Sequence, residues 1–193
     1  MENKRSDRRV KYTKMVLRQS LLELMKTQSI SKITVKDICE MADINRGTFY
    51  SHYNDPADLL FNVQNELFEE IKTTLARHKG PIINTTETLH EIFKCIAANK
   101  DLCQVLFSEN GDKEFIKKII YIAHQQCIDE WSKTMKNYDE QMMEYMYAFV
   151  AGGFVGIVEQ WMQGGFKESP KQLTNFVGKI ITHSMVIFLT DEN

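Results

Sequence analysis

Residues 34–53 read TVKDICEMADINRGTFYSHY, and their punctuation is that of two short helices at an angle. Thr34 followed three residues later by Asp37 resembles a capping box with Asp in place of Glu, which starts a helix over Val35 to Met41 or Ala42. The run Ala42-Asp43-Ile44-Asn45 then breaks the pattern. Asp43 tolerates the left-handed conformation of a tight turn, and Asn45 is a favoured N-cap. A third helix is expected over Arg46 to Tyr53. Ile38, Ala42, Ile44 and Phe49 are the inward positions of such a pair, which leaves Arg46, Thr48, Tyr50, Ser51 and His52 outward.

Working outward, Val16, Leu17, Leu21, Leu24 and Met25 recur on one face of a helix over about Arg8 to Lys26. Beyond the pair, Asn54-Asp55-Pro56 ends one helix and begins the next, with Asp55 as N-cap and Pro56 at the first helical position. A long fourth helix over about Ala57 to His78 carries Leu59, Leu60, Val63, Leu67, Phe68, Ile71 and Leu75. Lys79-Gly80-Pro81 breaks the chain. Further helices are expected at about Thr86–Ala98, Lys100–Phe107, Lys113–Met135, Asp139–Gln163 and Lys171–Leu189. Gly164-Gly165 reads as a C-cap pair and Ser169-Pro170 as an N-cap with proline at the first position, so the last two helices are antiparallel neighbours. No strand-like alternation competes. The expected fold is all-α, an N-terminal three-helix unit over residues 1–54 joined through the long fourth helix to a helical domain over residues 55–193.

Composition narrows the function. The 193-residue chain has three prolines, nine glycines and a 43% apolar fraction, which suits a globular helical protein with a sizeable core. Its net charge of −2 is unevenly spread: residues 1–60 hold 11 Lys+Arg against 8 Asp+Glu, the remainder 13 against 18. Lys4, Arg5, Arg8, Arg9, Lys11, Lys14 and Arg18 crowd the first 18 residues, a basic arm suited to phosphate backbone. The charged start MENKRSDRRV lacks the apolar stretch of a secretory signal, and the apolar run Tyr145 to Val158 is shorter than the about 20 residues that span a bilayer. A cytoplasmic protein without membrane contact is expected. Cys39, Cys95, Cys103 and Cys127 form no CxxC pair, so reduced packing cysteines are expected and neither disulfide nor zinc is signalled. His90 and His124 have no carboxylate at metal spacing and read as solvated or packed. No G-x-S-x-G elbow, P-loop, dinucleotide fingerprint or H-E-x-x-H is present, so no catalytic residue, cofactor or metal is assigned.

A helix, a three- or four-residue turn and a second short helix is the geometry that lays the second helix in a DNA major groove. The outward hydroxyls and imidazole suit phosphates, and Arg46 suits a guanine edge. Residues 34–53 resemble the tetracycline-repressor (TetR-type) family, whose pattern is roughly T-V-x-x-I-A-x-x-A-G-V-S-x-G-T-x-Y-x-H-F. The match extends over about residues 9–60, through Val16, Leu17, Ser20, Leu21, Leu24 and Met25 to Leu59-Leu60. The resemblance implies a recognition helix in which Thr48, Tyr50 and His52 touch double-stranded DNA, with Arg46 and Gly47 at its start. Thr34 and Ser51 complete the expected contact set. The departures are Asp43 for the usual Gly, Asn45 for the usual Ser, and Pro56 where many members carry a phosphate-binding lysine; backbone N–H groups at that helix start, or the basic arm, would replace it. Residues 145–189 also resemble a branch of the family that includes regulators linked to dihydroxyacetone kinase.

The resemblance further implies a homodimer and a small effector. The run Tyr145 to Val158 is apolar all round, with Gly152, Gly153 and Gly156 for close approach. With Phe176, Val177, Ile180, Ile181, Met185 and Phe188 it suits a two-fold four-helix interface, the alternative being a monomer core. Phe107, Phe115, Tyr121, Cys127, Trp131, Tyr145, Phe149 and Trp161 either line a cavity for a small apolar or aromatic effector or pack as ordinary core. The expected function is a dimeric repressor of a palindromic operator. The alternative is a structural or co-regulatory protein that keeps the fold without specific operator binding or without an effector.

Overall fold

The computed structural model describes residues 2–77, 86–134 and 139–190, with side chains described outside 2–7, 134 and 184–190. Every regular element among the described residues is helical. In chain order these are α1 (Glu2–Met25), a single 3₁₀ turn (Ile30–Lys32), α2 (Val35–Ala42), α3 (Arg46–Tyr50), α4 (Pro56–Arg77), α5 (Thr86–Ala98), α6 (Lys100–Leu106), α7 (Lys113–Thr134), α8 (Glu140–Gln163) and α9 (Pro170–Thr190). No described helix is long and apolar enough to cross a membrane. The all-α expectation holds. The break at Lys79-Gly80-Pro81, and Met185 and Phe188, lie outside the residues or side chains described.

Two element limits differ from the sequence reading. α1 begins at Glu2 rather than near Arg8. Apolar periodicity begins only at Val10, but the charged residues before it include neither proline nor glycine, and a helix needs no apolar face in order to continue. The expected basic arm is thus the first turns of α1. α3 stops at Tyr50 instead of Tyr53, because the Ser51 hydroxyl donates to the Thr48 carbonyl at 2.7 Å and the His52 N–H turns to Phe49 O at 2.9 Å, tightening the last turn.

The chain forms two compact units. The first takes residues 1–67 with 101–113, and the second 68–100 with 114–193. The division falls within α4, whereas the sequence reading draws its boundary at 54/55. In the first unit Leu17, Leu21, Ile38, Phe49, Leu59 and Leu102 are fully buried, with Met25, Val105 and Leu106 nearly so. Burying each such side chain contributes about 1.5–3 kcal/mol. α1 packs closely on α2, and α2 on α3. Gln64 of α4 donates to Asp112 after α6 at 3.1 Å. Gly111 lies hard against α6, where an added Cβ would stand 2.0 Å from the Leu106 carbonyl oxygen.

In the second unit, Phe93 of α5 is fully buried against Phe154 and Trp161 of α8, with ring centroids 5.3 and 5.7 Å away. The end of α8 is a Schellman turn. The N–H of Phe166 donates to Trp161 O and that of Gly165 to Met162 O, with Gly165 at φ 77 and the Phe166 ring 4.8 Å from that of Trp161. Ser169 and Gln172 then form a reciprocal capping box for α9. The short connector points to α8 and α9 as neighbours, yet α9 runs most extensively alongside α5. Small, buried Thr174 sits at that crossing, 3.4 Å from His90 Nδ1.

Candidate nucleic-acid interface

The capping box read from the sequence is formed. Thr34 accepts from the Asp37 N–H at 3.2 Å, while the Asp37 carboxylate accepts from the Thr34 N–H at 2.9 Å and the hydroxyl at 2.7 Å. These bonds, the hydroxyl's first, hold the Asp37 carboxyl below its usual value. Thr34 is exposed, but its hydroxyl proton is already given to Asp37. The first intrahelical bond of α2 comes from Ile38, so the N–H groups of Val35 and Lys36 precede the ladder and remain the donors of this helix start.

Asp43 takes the left-handed conformation at φ 51, ψ 48 and closes α2 with its N–H toward Cys39 and Glu40 carbonyls. The Asn45 side chain then accepts from the Gly47 N–H at 2.7 Å and starts α3. Glycine suits position 47: a Cβ would lie 3.3 Å from that same Asn45 oxygen. Beside the turn opens a recess of about 710 Å³ lined by Lys36, Cys39, Glu40, Asp43, Ile44, Asn45 and Arg46. Ile44 and Ala42, read as inward, are half-buried there.

Phe49 seats α3. It is fully buried, with Tyr53 5.9 Å and Tyr50 5.7 Å away between ring centroids. Burial of the anchor on one side leaves Arg46, Gly47, Thr48, Tyr50 and Ser51 exposed on the other, Tyr50 at 59%. His52 is half-buried with its ring 6.3 Å from that of Tyr53. Ser51 and His52 sit in the turn after α3 rather than on it. The structure therefore presents a continuous polar surface of one guanidinium, hydroxyls and an imidazole on a rigid apolar seat, the chemistry for reading a duplex. At the start of α4, the Asp55 carboxylate accepts from the Asp58 N–H at 2.8 Å, and Asp58 accepts from the Asn54 N–H and side chain at 2.8 and 2.9 Å.

The eight aromatic and thiol residues read as an effector set differ in burial and are divided between the two units. Phe107 belongs to the first unit, the other seven to the second. Tyr121, Tyr145 and Phe149 are exposed at 64, 62 and 72%. Trp161 is buried with Phe93 and Phe166, and its indole donates to Glu168 O at 2.9 Å. Phe115, Cys127 and Trp131 are buried. The Trp131 ring lies 6.4 Å from Tyr147, a residue outside the set. His124 is packed, as one of its two readings has it, with its ring centroid 4.7 Å from that of Tyr147 in a T-shaped pair, and its Nε2 lies 2.8 Å from a Glu144 oxygen, a carboxylate partner the sequence reading lacks. Twenty residues separate that pair on two helices, so no local spacing announces it. All four cysteines are free and buried, and no cluster of metal-ligating side chains occurs among the described residues.

Residues 84–183 match the family model TetR_C_8, a transcriptional regulator C-terminal region. The chain belongs to the TetR family of transcriptional regulators. A helix-turn-helix followed by this domain is the make-up of a transcriptional regulator. A TetR-type assignment also accords with a relative in Bacillus subtilis strain 168, the uncharacterized HTH-type transcriptional regulator YxbF, 31% identical over 74 residues. That match takes in 38% of this chain but only 18% of the relative. Among solved structures, the dihydroxyacetone kinase operon activator DhaS is similar at a TM-score of 0.63 and 18% identity, covering 91% of this chain and 97% of that one. A TetR transcriptional regulator from Streptococcus agalactiae 2603V gives 0.59 and 22%, with 91 and 97% covered. NalD, the secondary repressor of the MexAB-OprM multidrug efflux pump in Pseudomonas aeruginosa, gives 0.62 and 14%, with 91 and 96%. These likenesses establish the TetR fold; the branch resemblance has its structural counterpart in the first.

Proposed function

We propose that this TetR-type regulator is a cytoplasmic homodimeric repressor that binds a palindromic operator and is released by a small apolar or aromatic effector. The observation that carries the DNA reading is the exposed surface Arg46, Gly47, Thr48, Tyr50 and Ser51 held over fully buried Phe49 and followed by half-buried His52, with Thr34 exposed at the start of α2. Pairing is supported by a face of α8 and α9 on which Tyr145, Phe149, Phe176 and Ile180 are exposed at 43–72%, while Met146, Tyr147, Val177 and Ile181 turn inward. Cβ atoms added at Gly152, Gly153 or Gly156 would meet nothing within 4 Å, so this face has room for a second copy. Two copies would set recognition helices about 34–36 Å apart on successive half-sites. Phe115, Cys127 and Trp131 remain the effector-lining candidates, whereas exposed Tyr145 and Phe149 serve the dimer better.

The test is selection of bound duplexes from a random pool, repeated with Tyr50→Ala. Enriched palindromes that vanish in the variant support the reading, and a specific binder prefers its site over random DNA by about a thousandfold or more at physiological salt. Equal affinity for both would favour the second reading, a co-regulatory protein without operator specificity, toward which the two carboxylates at the α4 start point. Sedimentation as a monomer at micromolar concentration would remove the dimer. A reporter assay decides the sign of regulation, for which one structural neighbour bears the name activator and another repressor.

A further inference from the structure

The start of α4 leaves a DNA phosphate one backbone donor, the Ala57 N–H. Pro56 has no N–H to offer, and the Asp58 N–H is taken by the Asp55 carboxylate at 2.8 Å. Asp58 is itself held in place by Asn54 and by the Asn62 side chain at 2.9 Å. Two carboxylates thus occupy the positive end of the helix dipole, and a phosphate approaching the Ala57 N–H meets like charge beside it.

Several cations of the first unit are paired. Arg18 lies 3.6 Å from Glu66, Lys26 is bonded to Glu23, and Lys36 stands 3.7 Å from Glu40. Arg8, Arg9, Lys11 and Lys14 are exposed and make no ion pair with another described residue. Lys11, Lys14 and Arg18 fall at i, i+3 and i+7, one stripe of α1, of which only the last member is neutralised. The stripe belongs to a continuous helix packed on α2, so these lysines are carried by the same rigid unit as the recognition surface and need no backbone ordering on binding.

Resting on the operator-binding reading above, we infer that the phosphate grip lost at Pro56 is supplied by the basic face of α1, chiefly Lys11 and Lys14. Each phosphate contact released by a substitution lowers the slope of log K against log salt by about 0.9. Lys11→Ala with Lys14→Ala should therefore flatten that slope by about 1.8 per bound protomer and weaken binding to operator and random DNA alike. The experiment titrates a duplex recovered by selection at 50–300 mM salt against the full chain, the double variant, and Lys117→Ala with Lys118→Ala. The last removes equal charge from α7 in the second unit. Far-UV circular dichroism confirms that each variant stays folded, as expected for exposed lysines replaced by a better helix former. The inference stands if only the α1 variant loses slope. It is overturned if the α1 variant keeps the full slope, or if both variants lose it equally, with wild type binding normally in either case. Wild type that binds no selected duplex overturns the operator reading itself, and this inference with it.

Discussion

Phe49 and Tyr50 are neighbours in sequence with opposite assignments, and exchanging each for alanine separates fold from function. Phe49 is fully buried and meets two rings at 5.7 and 5.9 Å. Phe→Ala in a core costs about 3–5 kcal/mol, and the lost ring pairs place Phe49→Ala near 4 kcal/mol. With a urea slope of about 2 kcal/mol/M, the unfolding midpoint of the first unit should fall by about 2 M. Tyr50 is 59% exposed and loses only its edge contact with Phe49, so Tyr50→Ala should cost about 0.5–1 kcal/mol and move the midpoint by less than about 0.5 M. Its effect on operator binding runs the other way, a loss of about 1–3 kcal/mol or roughly ten- to a hundredfold. Urea titration by circular dichroism and anisotropy on a labelled operator read the two quantities separately. A Phe49→Ala midpoint within about 0.5 M of wild type, or a Tyr50→Ala loss of stability as large as that of Phe49→Ala, refutes the arrangement of α3.

Gly111→Ala forces a Cβ to within 2.0 Å of the Leu106 carbonyl oxygen and 2.5 Å of that of Val105, so the last turn of α6 must shift; the expected loss is about 1–3 kcal/mol, read as a melting point lower by roughly 5 °C. Asp43→Gly relieves a non-glycine residue at φ 51 and should raise stability by up to about 1 kcal/mol; a lower melting point would contradict the left-handed cap. Burial pushes the Cys103 and Cys127 thiols up from 9.0 to about 12, so above pH 9 the unfolded chain loses protons that the folded chain retains. Stability should accordingly fall between pH 9 and 12 by about 1.4 kcal/mol per unit for each thiol, and Cys127→Ala should reduce the slope measured by urea titration.

Much of the fold is legible locally. Caps act within four residues, so Thr34 with Asp37, Asn45, Asp55 before Pro56, and Gly164-Gly165 place helix ends without reference to any partner. The seat of the site is equally local, since the period of α2 and α3 turns Ile38 and Phe49 inward. The end of α3 was misread because a single hydroxyl, Ser51 to Thr48 O, competes with the ladder. The split in burial within the effector set has a different reason. Aromatic residues at helical spacing mark an apolar face without saying what covers it, and Tyr121, Tyr145 and Phe149 are left uncovered.

The sequence by itself determined an all-helical chain, the capped helix ends at Thr34, Asn45, Asp55 and Gly164, and the polar face of α3, because hydrogen-bond capping and 3.6-residue periodicity are short-range. Only the tertiary structure decided that 101–113 joins the first unit, that His124 meets Glu144 across twenty residues, and that the run Tyr145 to Val158 of α8, apolar on every side, buries Met146 and Tyr147 while exposing Tyr145 and Phe149. An all-round apolar helix carries no internal sign of its inward face, and only the packing of α5 and α7 against it supplies one.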